Sequence, residues 1–304
     1  MGVSARHILN HGPTLAVLGR TVLSGLRPPS GAVPSELPGP EITETMPPLP
    51  QALLDDFVRE VGGEPRTYRG QVPPHLFSQW AFPMAARTFG ELPYPMIKAV
   101  NGGCRMEVNA PLPVGEPLTV TARLLSIDDD GRRVVMGSRV TTSTPSVEDA
   151  LIAEFYAIVP LPKKPSENGS PGKSNGKPKD KPTVPDDAHE LMRQKLPRNA
   201  GLSFAKLTGD FNPIHWIGPY AKASGFRDVI LHGFATQARA VEGLVRQRLG
   251  GDPSALRVID VKFTRPLVLP HDVGLYQQGD RIFMGDAPGG PAYMTGTFET
   301  EKRP

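Results

Sequence analysis

Residues 204–221 read FAKLTGDFNPIHWIGPYA, and this stretch decides how the rest of the chain is interpreted. Asp210 and His215 place a carboxylate and an imidazole five positions apart. Pro213 stands between them, lacks a backbone donor and pushes the preceding residue out of the helical region, so the segment cannot be a continuous helix. Gly209 permits a left-handed turn directly before the carboxylate. The pattern predicts a rigid, irregular loop, which is where catalytic groups are often found.

A second run, Ile-Leu-His-Gly at residues 230–233, precedes an apolar pattern with helical spacing. A glycine at a helix start lets a ligand approach free backbone N–H groups, and the helix dipole favours negative charge there. A carboxylate, an imidazole and a helix N-terminus can together add water to, or remove water from, a double bond conjugated with a carbonyl.

The first stretch resembles the signature of the MaoC-like hydratase 2 family, which contains the (R)-specific enoyl-CoA hydratases and the 3-hydroxyacyl-thioester dehydratases. The matching positions are Phe204, Leu207, Thr208, Gly209, Asp210, Asn212, Pro213, Ile214, His215 and Ala221. The run at residues 230–233 also looks like the start of the family's central helix. So many fixed positions make this resemblance far more specific than a lone glycine-rich loop.

The resemblance implies a hydro-lyase of fatty acid metabolism that acts on a CoA or acyl-carrier-protein thioester, with no cofactor and no metal. By the same resemblance, Asp210 and His215 hold one water between them and serve as base and acid. The backbone N–H of Gly233 is the family's oxyanion donor, and Asn212 orients the loop or the water. We interpret His232 as a structural residue beside the helix start.

Other interpretations stay open for these residues. Asp210 could cap a turn, and His215 could be a buried, hydrogen-bonded histidine. A metal site is not expected, because no second carboxylate or compact histidine pair accompanies them. Two other functions are possible on the same fold, an acyl-CoA thioesterase and a non-catalytic acyl-chain-binding subunit.

Composition limits the class of protein. Hydrophobic residues make up 38% and charged residues 21% of the 304 positions, which is typical of a soluble globular protein. The net charge of +3 gives no reason to expect nucleic acid as a partner. No apolar run is long enough to span a membrane. The single cysteine, Cys104, excludes an internal disulfide framework and favours the cytoplasm; we expect it to be buried.

Residues 1–50 are expected to be an N-terminal arm with a proline-rich, extended connector over residues 28–50. The first 35 residues contain Arg6, Arg20 and Arg27 but no acidic residue, a composition also typical of a transit peptide. That alternative would place the protein in a mitochondrion or another organelle. We favour the solvent-facing arm.

The remaining chain reads as two domains, residues 51–162 and 188–304, separated by a flexible Lys-, Pro- and Gly-rich linker over residues 163–187. The predicted helices cover residues 51–61, 74–90 and 232–249. The predicted strands cover residues 104–109, 119–127, 132–143, 150–159, 256–263, 273–278, 281–285 and 293–300. Turns at residues 128–131 and 278–280 predict two hairpins. The arginines of the long helix are expected to lie largely off its apolar face.

A helix followed by an antiparallel sheet, twice over, is the order of elements that a double hotdog would give. The resemblance supplies that fold, in the α+β class, as a monomeric double hotdog or a homodimer. The first half lacks the motif, so we predict one active site per chain and a first half that widens the acyl-chain pocket. Charge alone suggests that Lys222, Lys262 or Arg265 meets the phosphates of the substrate.

Overall fold

The computed structural model describes residues 2–12, 19, 32–90, 92–161 and 181–301. The helices are α1 (Gln51–Glu60), α2 (Ser78–Phe89), α3 (Ala200–Thr208), α4 (Gly218–Ala223) and α5 (Gly233–Gln247). Short 3-10 helices cover Ala5–Asn10, Pro65–Tyr68, Pro74–Leu76, Met96–Lys98, Pro213–His215 and Pro253–Ala255. The strands are β1 (Ile42–Met46), β2 (Gln71–Val72), β3 (Val100–Val108), β4 (Leu112–Pro113), β5 (Leu118–Asp129), β6 (Arg133–Ser143), β7 (Leu151–Pro160), β8 (His189–Leu196), β9 (Leu256–Phe263), β10 (His271–Gln278), β11 (Arg281–Gly285) and β12 (Ala292–Thr300).

Ten strands form one antiparallel sheet in the order β1-β5-β6-β7-β3-β9-β12-β11-β10-β8. In β5, the alternating residues Leu118, Val120, Ala122 and Leu124 are buried, as expected for strands with one face on the core. Helix α2 packs on β5, β6 and β7, and helix α5 packs on β8, β9 and β12. Each half is therefore a helix packed against an antiparallel sheet, and the chain has the expected double hotdog fold.

Two glycines allow the tight turns that the sequence predicts. Gly131 has a φ of +74° between β5 and β6, and Gly279 has a φ of +63° between β10 and β11. L-residues rarely adopt such angles, so glycine is the residue that closes both hairpins without strain. Both predicted hairpins are confirmed.

Strands β3 and β9 join the two halves in the middle of the sheet, from the pair Gly103–Lys262 to the pair Glu107–Val258. A Cβ atom placed on Gly103 would lie 2.2 Å from the carbonyl oxygen of Val261. The close approach of the two strands at this point therefore depends on a residue without a side chain.

The structure corrects the ends of the predicted connectors. Strand β1 lies inside the connector predicted over residues 28–50, and the unpredicted strand β8 begins the second half. Residues 163–180 of the predicted linker lie outside the described residues. Residues 181–187 pack on the second half, where Val184 is fully buried and Thr183 forms a bridge with Pro291.

Helix α5 buries charged side chains against the first half. Arg239, which we expected off the apolar face, is only 3% exposed and donates to the backbone carbonyl of Glu60 at 3.0 Å. Glu242 is equally buried, with an oxygen 3.0 Å from Nε2 of His75. The prediction about Arg239 was wrong because the neighbouring half covers this side of the helix and supplies partners for its charges, which periodicity within one helix does not reveal.

Cys104 is free and fully buried, as predicted. Among the described residues, no helix is both long and apolar enough to cross a membrane.

Candidate active site

The loop that carries Asp210 starts at the end of helix α3. Gly209 adopts the predicted left-handed conformation, with a φ of +83°, and its N–H donates to the carbonyl of Ala205 at 2.8 Å. This bond closes the last turn of the helix and turns the chain away from the helix axis. The Asp210 carboxylate, whose side chain is 19% exposed, then accepts from the N–H of Asn212 at 3.3 Å.

Asn212 shapes the segment between the two candidate catalytic residues. Its side-chain oxygen accepts from the N–H of Ile214 at 3.3 Å, and its carbonyl accepts from the N–H of His215 at 3.1 Å. Pro213 fills the first position of this 3-10 turn, where a missing N–H costs nothing. Asn212 thus fixes the geometry of the loop.

The ring of His215 is held by the segment that leads into helix α5. Its Nδ1 lies 2.9 Å from the carbonyl oxygen of Ile230, while the N–H of Ile230 donates to Ile214 at 3.2 Å. A carbonyl can only accept, so Nδ1 carries the proton and Nε2 keeps a free lone pair. Gly201 of α3 lets the loop lie close, since a Cβ atom there would be 2.2 Å from the carbonyl oxygen of His215.

Burial keeps His215 neutral. The side chain is only 8% exposed, and desolvation, with a smaller contribution from the nearby His232, lowers the pKa of His215 to about 3. The Asp210 carboxylate and the Ile230 carbonyl oppose this pKa shift without reversing it. At neutral pH the ring therefore offers an unprotonated nitrogen that can accept a proton.

His232, which we interpreted as structural, is brought into the site. Its ring stacks on that of His215 with the centroids 3.5 Å apart and the planes inclined by 25°. Its Nε2 donates to the backbone carbonyl of Asp210 at 2.9 Å. Desolvation lowers the pKa of His232 to about 4, so it too is neutral near pH 7. His232 therefore links the helix start to both residues of the loop, a contact that sequence spacing could not reveal.

The structure also contains the compact histidine pair that we did not expect. One ligand atom from each of Asp210, His215 and His232 lies within 4.8 Å of the others. However, a metal ion binds along the in-plane lone pair of an imidazole, and two stacked rings aim their lone pairs poorly at a common point. The nitrogen of His232 nearest Asp210 also carries a proton. The arrangement favours acid–base chemistry over metal binding.

Gly233 is the first residue of helix α5, and His232 is its N-cap. The N–H of a first helical residue has no acceptor within its own helix, so it is available to a ligand. A Cβ atom on Gly233 would lie 2.6 Å from the ring of Phe263. The ring of Phe263 therefore packs directly over the backbone at the helix start.

Aromatic side chains from both halves surround the helix start. The ring of Phe234 lies 5.5 to 6.2 Å from the rings of four other phenylalanines. Three of them belong to the first half and one to the second: Phe77, Phe82, Phe155 and Phe263. The half without the motif thus supplies three of the four phenylalanines that pack around Phe234.

The three candidate phosphate-binding residues differ in whether their side chains already bond to the protein or are exposed to solvent. Arg265 donates to the backbone carbonyls of Lys181 and Pro182 at 3.0 and 3.3 Å, so it anchors the segment that follows the linker. Lys222 and Lys262 are exposed.

Comparisons with known proteins agree with the geometry. The MaoC like domain family matches residues 173–279. An enoyl-CoA hydratase of Mycobacterium tuberculosis, ChsH3, is 31% identical over 173 residues, which are 55% of this chain and 56% of that protein. The chain thus spans little more than half the length of this relative. The 3-hydroxyacyl-thioester dehydratase X of the same organism is 28% identical over 84% of this chain and 88% of its own length.

The crystal structure of HtdX from Mycobacterium tuberculosis superposes with a TM-score of 0.66 at 20% identity, covering 86% of this chain and all of that one. A likeness at this identity concerns the fold, which both halves share with that structure. The match to the family model, over residues 173–279, includes Asp210, His215 and the start of helix α5. Over residues 173–279, the chain is therefore similar to the MaoC like domain family.

Proposed function

We propose that the chain is an (R)-specific 3-hydroxyacyl-thioester dehydratase, equally a trans-2-enoyl-CoA hydratase. The observation that carries this proposal is that one ligand atom from each of Asp210, His215 and His232 lies within 4.8 Å of the others, with His232 as the N-cap of helix α5 and Gly233 as its first residue. An acid–base pair opposite a helix N-terminus suits the reversible addition of water to an enoyl thioester.

In the hydration direction, one water would lie between Asp210 and His215. The lone pair of His215 takes a proton from this water while the water oxygen bonds to the β-carbon of the substrate. The π electrons of the double bond move towards the thioester carbonyl, and the pair then returns a proton to the α-carbon. The net change is one H and one OH across the double bond, and dehydration reverses each step.

Negative charge develops on the thioester oxygen as the β-carbon is attacked. The N–H of Gly233 would donate to this oxygen, helped by the dipole of α5. A preorganised donor of this kind is typically worth about 3–4 kcal/mol, or roughly a thousandfold in rate. Since the donor is a backbone group at a fixed helix start, it needs no reorganisation during the reaction.

The acyl chain would lie against the phenylalanines beside Phe234, three of which come from the half without the motif. This supports the prediction of one active site per chain, with a first half that widens the acyl-chain pocket. Lys222 and Lys262 remain candidates for contacts with phosphates of CoA or a carrier protein, whereas Arg265 is already engaged with backbone carbonyls. We propose that the reaction needs neither a metal nor a redox cofactor, because proton transfer and charge stabilisation are both supplied by protein groups.

We further propose a cytoplasmic enzyme that is functional as a single double hotdog. The fully buried, free Cys104 fits a reducing compartment. The two halves already pair with each other through β3 and β9, which supports a monomer with a complete site.

The test is turnover of trans-2-enoyl thioesters of increasing chain length, on CoA and on a carrier protein, with chiral analysis of the 3-hydroxyacyl product. Asp210→Asn and His215→Ala should each lower kcat by about 10²- to 10⁴-fold. Asp280→Asn and His189→Ala replace exposed residues of the same types and should leave kcat unchanged.

Full activity in the Asp210→Asn, His215→Ala double variant would overturn the assignment. Release of free thiol by the wild-type protein, without hydration, would identify a thioesterase instead. Saturable binding of the thioester without any turnover would identify a binding subunit.

A further inference from the structure

The segment at the N-terminus, which we expected to face solvent, is docked through two buried histidines. His7 is 2% exposed and His11 is fully buried. Nε2 of His7 lies 2.8 Å from the carboxylate of Asp56 in helix α1. Nε2 of His11 lies 2.9 Å from the backbone carbonyl of Lys206 in helix α3. The segment therefore contacts both halves of the protein.

The contact with helix α3 is reciprocal. While His11 bonds to the carbonyl of Lys206, the ammonium group of Lys206 donates to the carbonyl of Val3 at 3.2 Å. On the other side, Nδ1 of His11 is 3.4 Å from the amide nitrogen of Gln79 in helix α2. One buried ring thus spans helices from the two halves.

These partners fix the protonation of His11. The Lys206 carbonyl can only accept, so Nε2 carries the proton, and Nδ1 is left to accept from the amide of Gln79. Burial lowers the pKa of His11, which keeps the ring neutral as this pattern of bonds requires.

The Lys206 carbonyl that bonds to His11 lies close to the loop that carries Asp210. Lys206 lies in the last turn of helix α3, where backbone carbonyls have no donor within the helix. The chain leaves the helix at Gly209, immediately before Asp210. His11 therefore caps the end of the helix that carries the catalytic loop, and it does so from 195 positions away in the sequence.

We propose that residues 3–11 form an N-terminal clasp, and that His11 is a positioning residue which holds the end of helix α3 and thereby the carboxylate of Asp210. The kinetic part of this inference rests on the proposed function. A misplacement of about 1 Å in a catalytic group can cost roughly 10²-fold in rate, so a cap at this point affects chemistry as well as stability.

Variants of the full chain can distinguish the effect of the bond from His11 to the Lys206 carbonyl from a general effect on packing. The amide nitrogen of glutamine can take the place of imidazole Nε2, whereas that of asparagine takes the place of Nδ1. His11→Gln therefore keeps a donor for the Lys206 carbonyl, and His11→Asn of similar polarity does not. His7→Gln serves as a second control, because His7 bonds to helix α1 and makes no bond to α3.

Two measurements are made on each variant, well below its melting temperature. The first is kcat and KM for hydration of a trans-2-enoyl-CoA. We expect His11→Asn to lower kcat by about ten- to a hundredfold with KM within about threefold. We expect His11→Gln and His7→Gln to remain within about threefold of wild-type kcat.

The second measurement is amide hydrogen exchange. Peptides covering residues 204–212 should exchange faster in His11→Asn than in His11→Gln, while peptides covering residues 236–246 of α5 should be unchanged.

Wild-type kcat and exchange in His11→Asn would overturn the inference. Equal impairment of His11→Asn, His11→Gln and His7→Gln, with faster exchange throughout, would also overturn it by revealing a general loss of packing. If the wild-type protein hydrates no enoyl thioester, the proposed function fails, and hydrogen exchange alone still decides whether the clasp holds α3.

Discussion

The imidazole rings of His215 and His232 stack face to face, 3.5 Å apart between centroids. Both rings are neutral, and each is held by a bond to a backbone carbonyl, His215 to Ile230 and His232 to Asp210. In the proposed mechanism His215 accepts a proton, and the resulting cation would lie against the face of the His232 ring. His232 also contributes to the low pKa of His215, so the stacked pair orients this ring and disfavours its charged form.

Replacing His232 separates its two roles. His232→Phe keeps a flat ring against His215 but removes the donor to the Asp210 carbonyl. We expect kcat to fall by about five- to a hundredfold, since leaving a buried acceptor unpaired costs about 1–3 kcal/mol. His232→Ala, which removes the stacked ring as well, should fall further. A His232→Phe variant with wild-type kcat would show that the bond to Asp210 has no part in positioning the carboxylate.

The pH dependence of the reaction should lack the break typical of a histidine base. Because burial lowers the pKa of His215 to about 3, the ring stays unprotonated far below the usual value of 6.5. We expect kcat/KM to be constant from pH 8 down to about pH 5. Because kcat/KM reports ionisations of the free enzyme, it should decrease only below this range. A decline with an apparent pKa between 6 and 7 would indicate that His215 is more solvated than its contacts imply.

The same shifts make folding sensitive to acid. The folded protein resists protonation of His215 and His232, with pKa values of about 3 and about 4, whereas the unfolded chain protonates both near 6.5. The unfolded state thus binds more protons below pH 6.5, and stability falls from there through about pH 4 and on towards pH 3.

Urea unfolding at pH 7, 5.5 and 4.5 measures this effect. The free energy of unfolding should decline with pH, and it should decline less steeply in His232→Phe, which has one fewer buried histidine to protonate. Identical slopes for the two proteins would contradict the prediction.

The oxyanion role of Gly233 can be tested although its donor is a backbone group. A side chain at this position would collide with Phe263, so the background variant is Phe263→Ala. In that background, Gly233→Ala keeps the N–H, and Gly233→Pro removes it at a first helical position that tolerates proline. We expect the proline variant to have a kcat about 10²- to 10³-fold below the alanine variant. Equal kcat values would exclude the Gly233 N–H as oxyanion donor.

The sequence was sufficient for the loop at residues 209–215, because its conformation is set locally. Gly209 adopts its left-handed angle and Asn212 caps its own turn through bonds to near neighbours. Strands β1 and β8 were missed because they lie at the two edges of the sheet. An edge strand is held by backbone bonds on one side only and is largely solvated, so its side chains need show no clear apolar alternation.

The contacts of His11, His232 and Arg239 were hidden for a different reason. Each of these side chains is buried by segments that are distant in sequence, so its burial depends on the assembled fold. In a single sequence, a lone polar residue carries no sign of such a partner. The contacts of polar residues that share a local turn can be predicted from the sequence, whereas those of isolated polar residues cannot.

The pairing of β3 with β9 also affects how the second half behaves in solution. If residues 188–304 were produced alone, β9 would present unbonded backbone groups along the stretch that β3 now covers, from Val258 to Lys262. An exposed edge strand of this kind pairs with other chains, which leads either to a dimer through the same edge or to an aggregate. The half without the motif thus covers this edge, and its removal should be detected first as a loss of solubility.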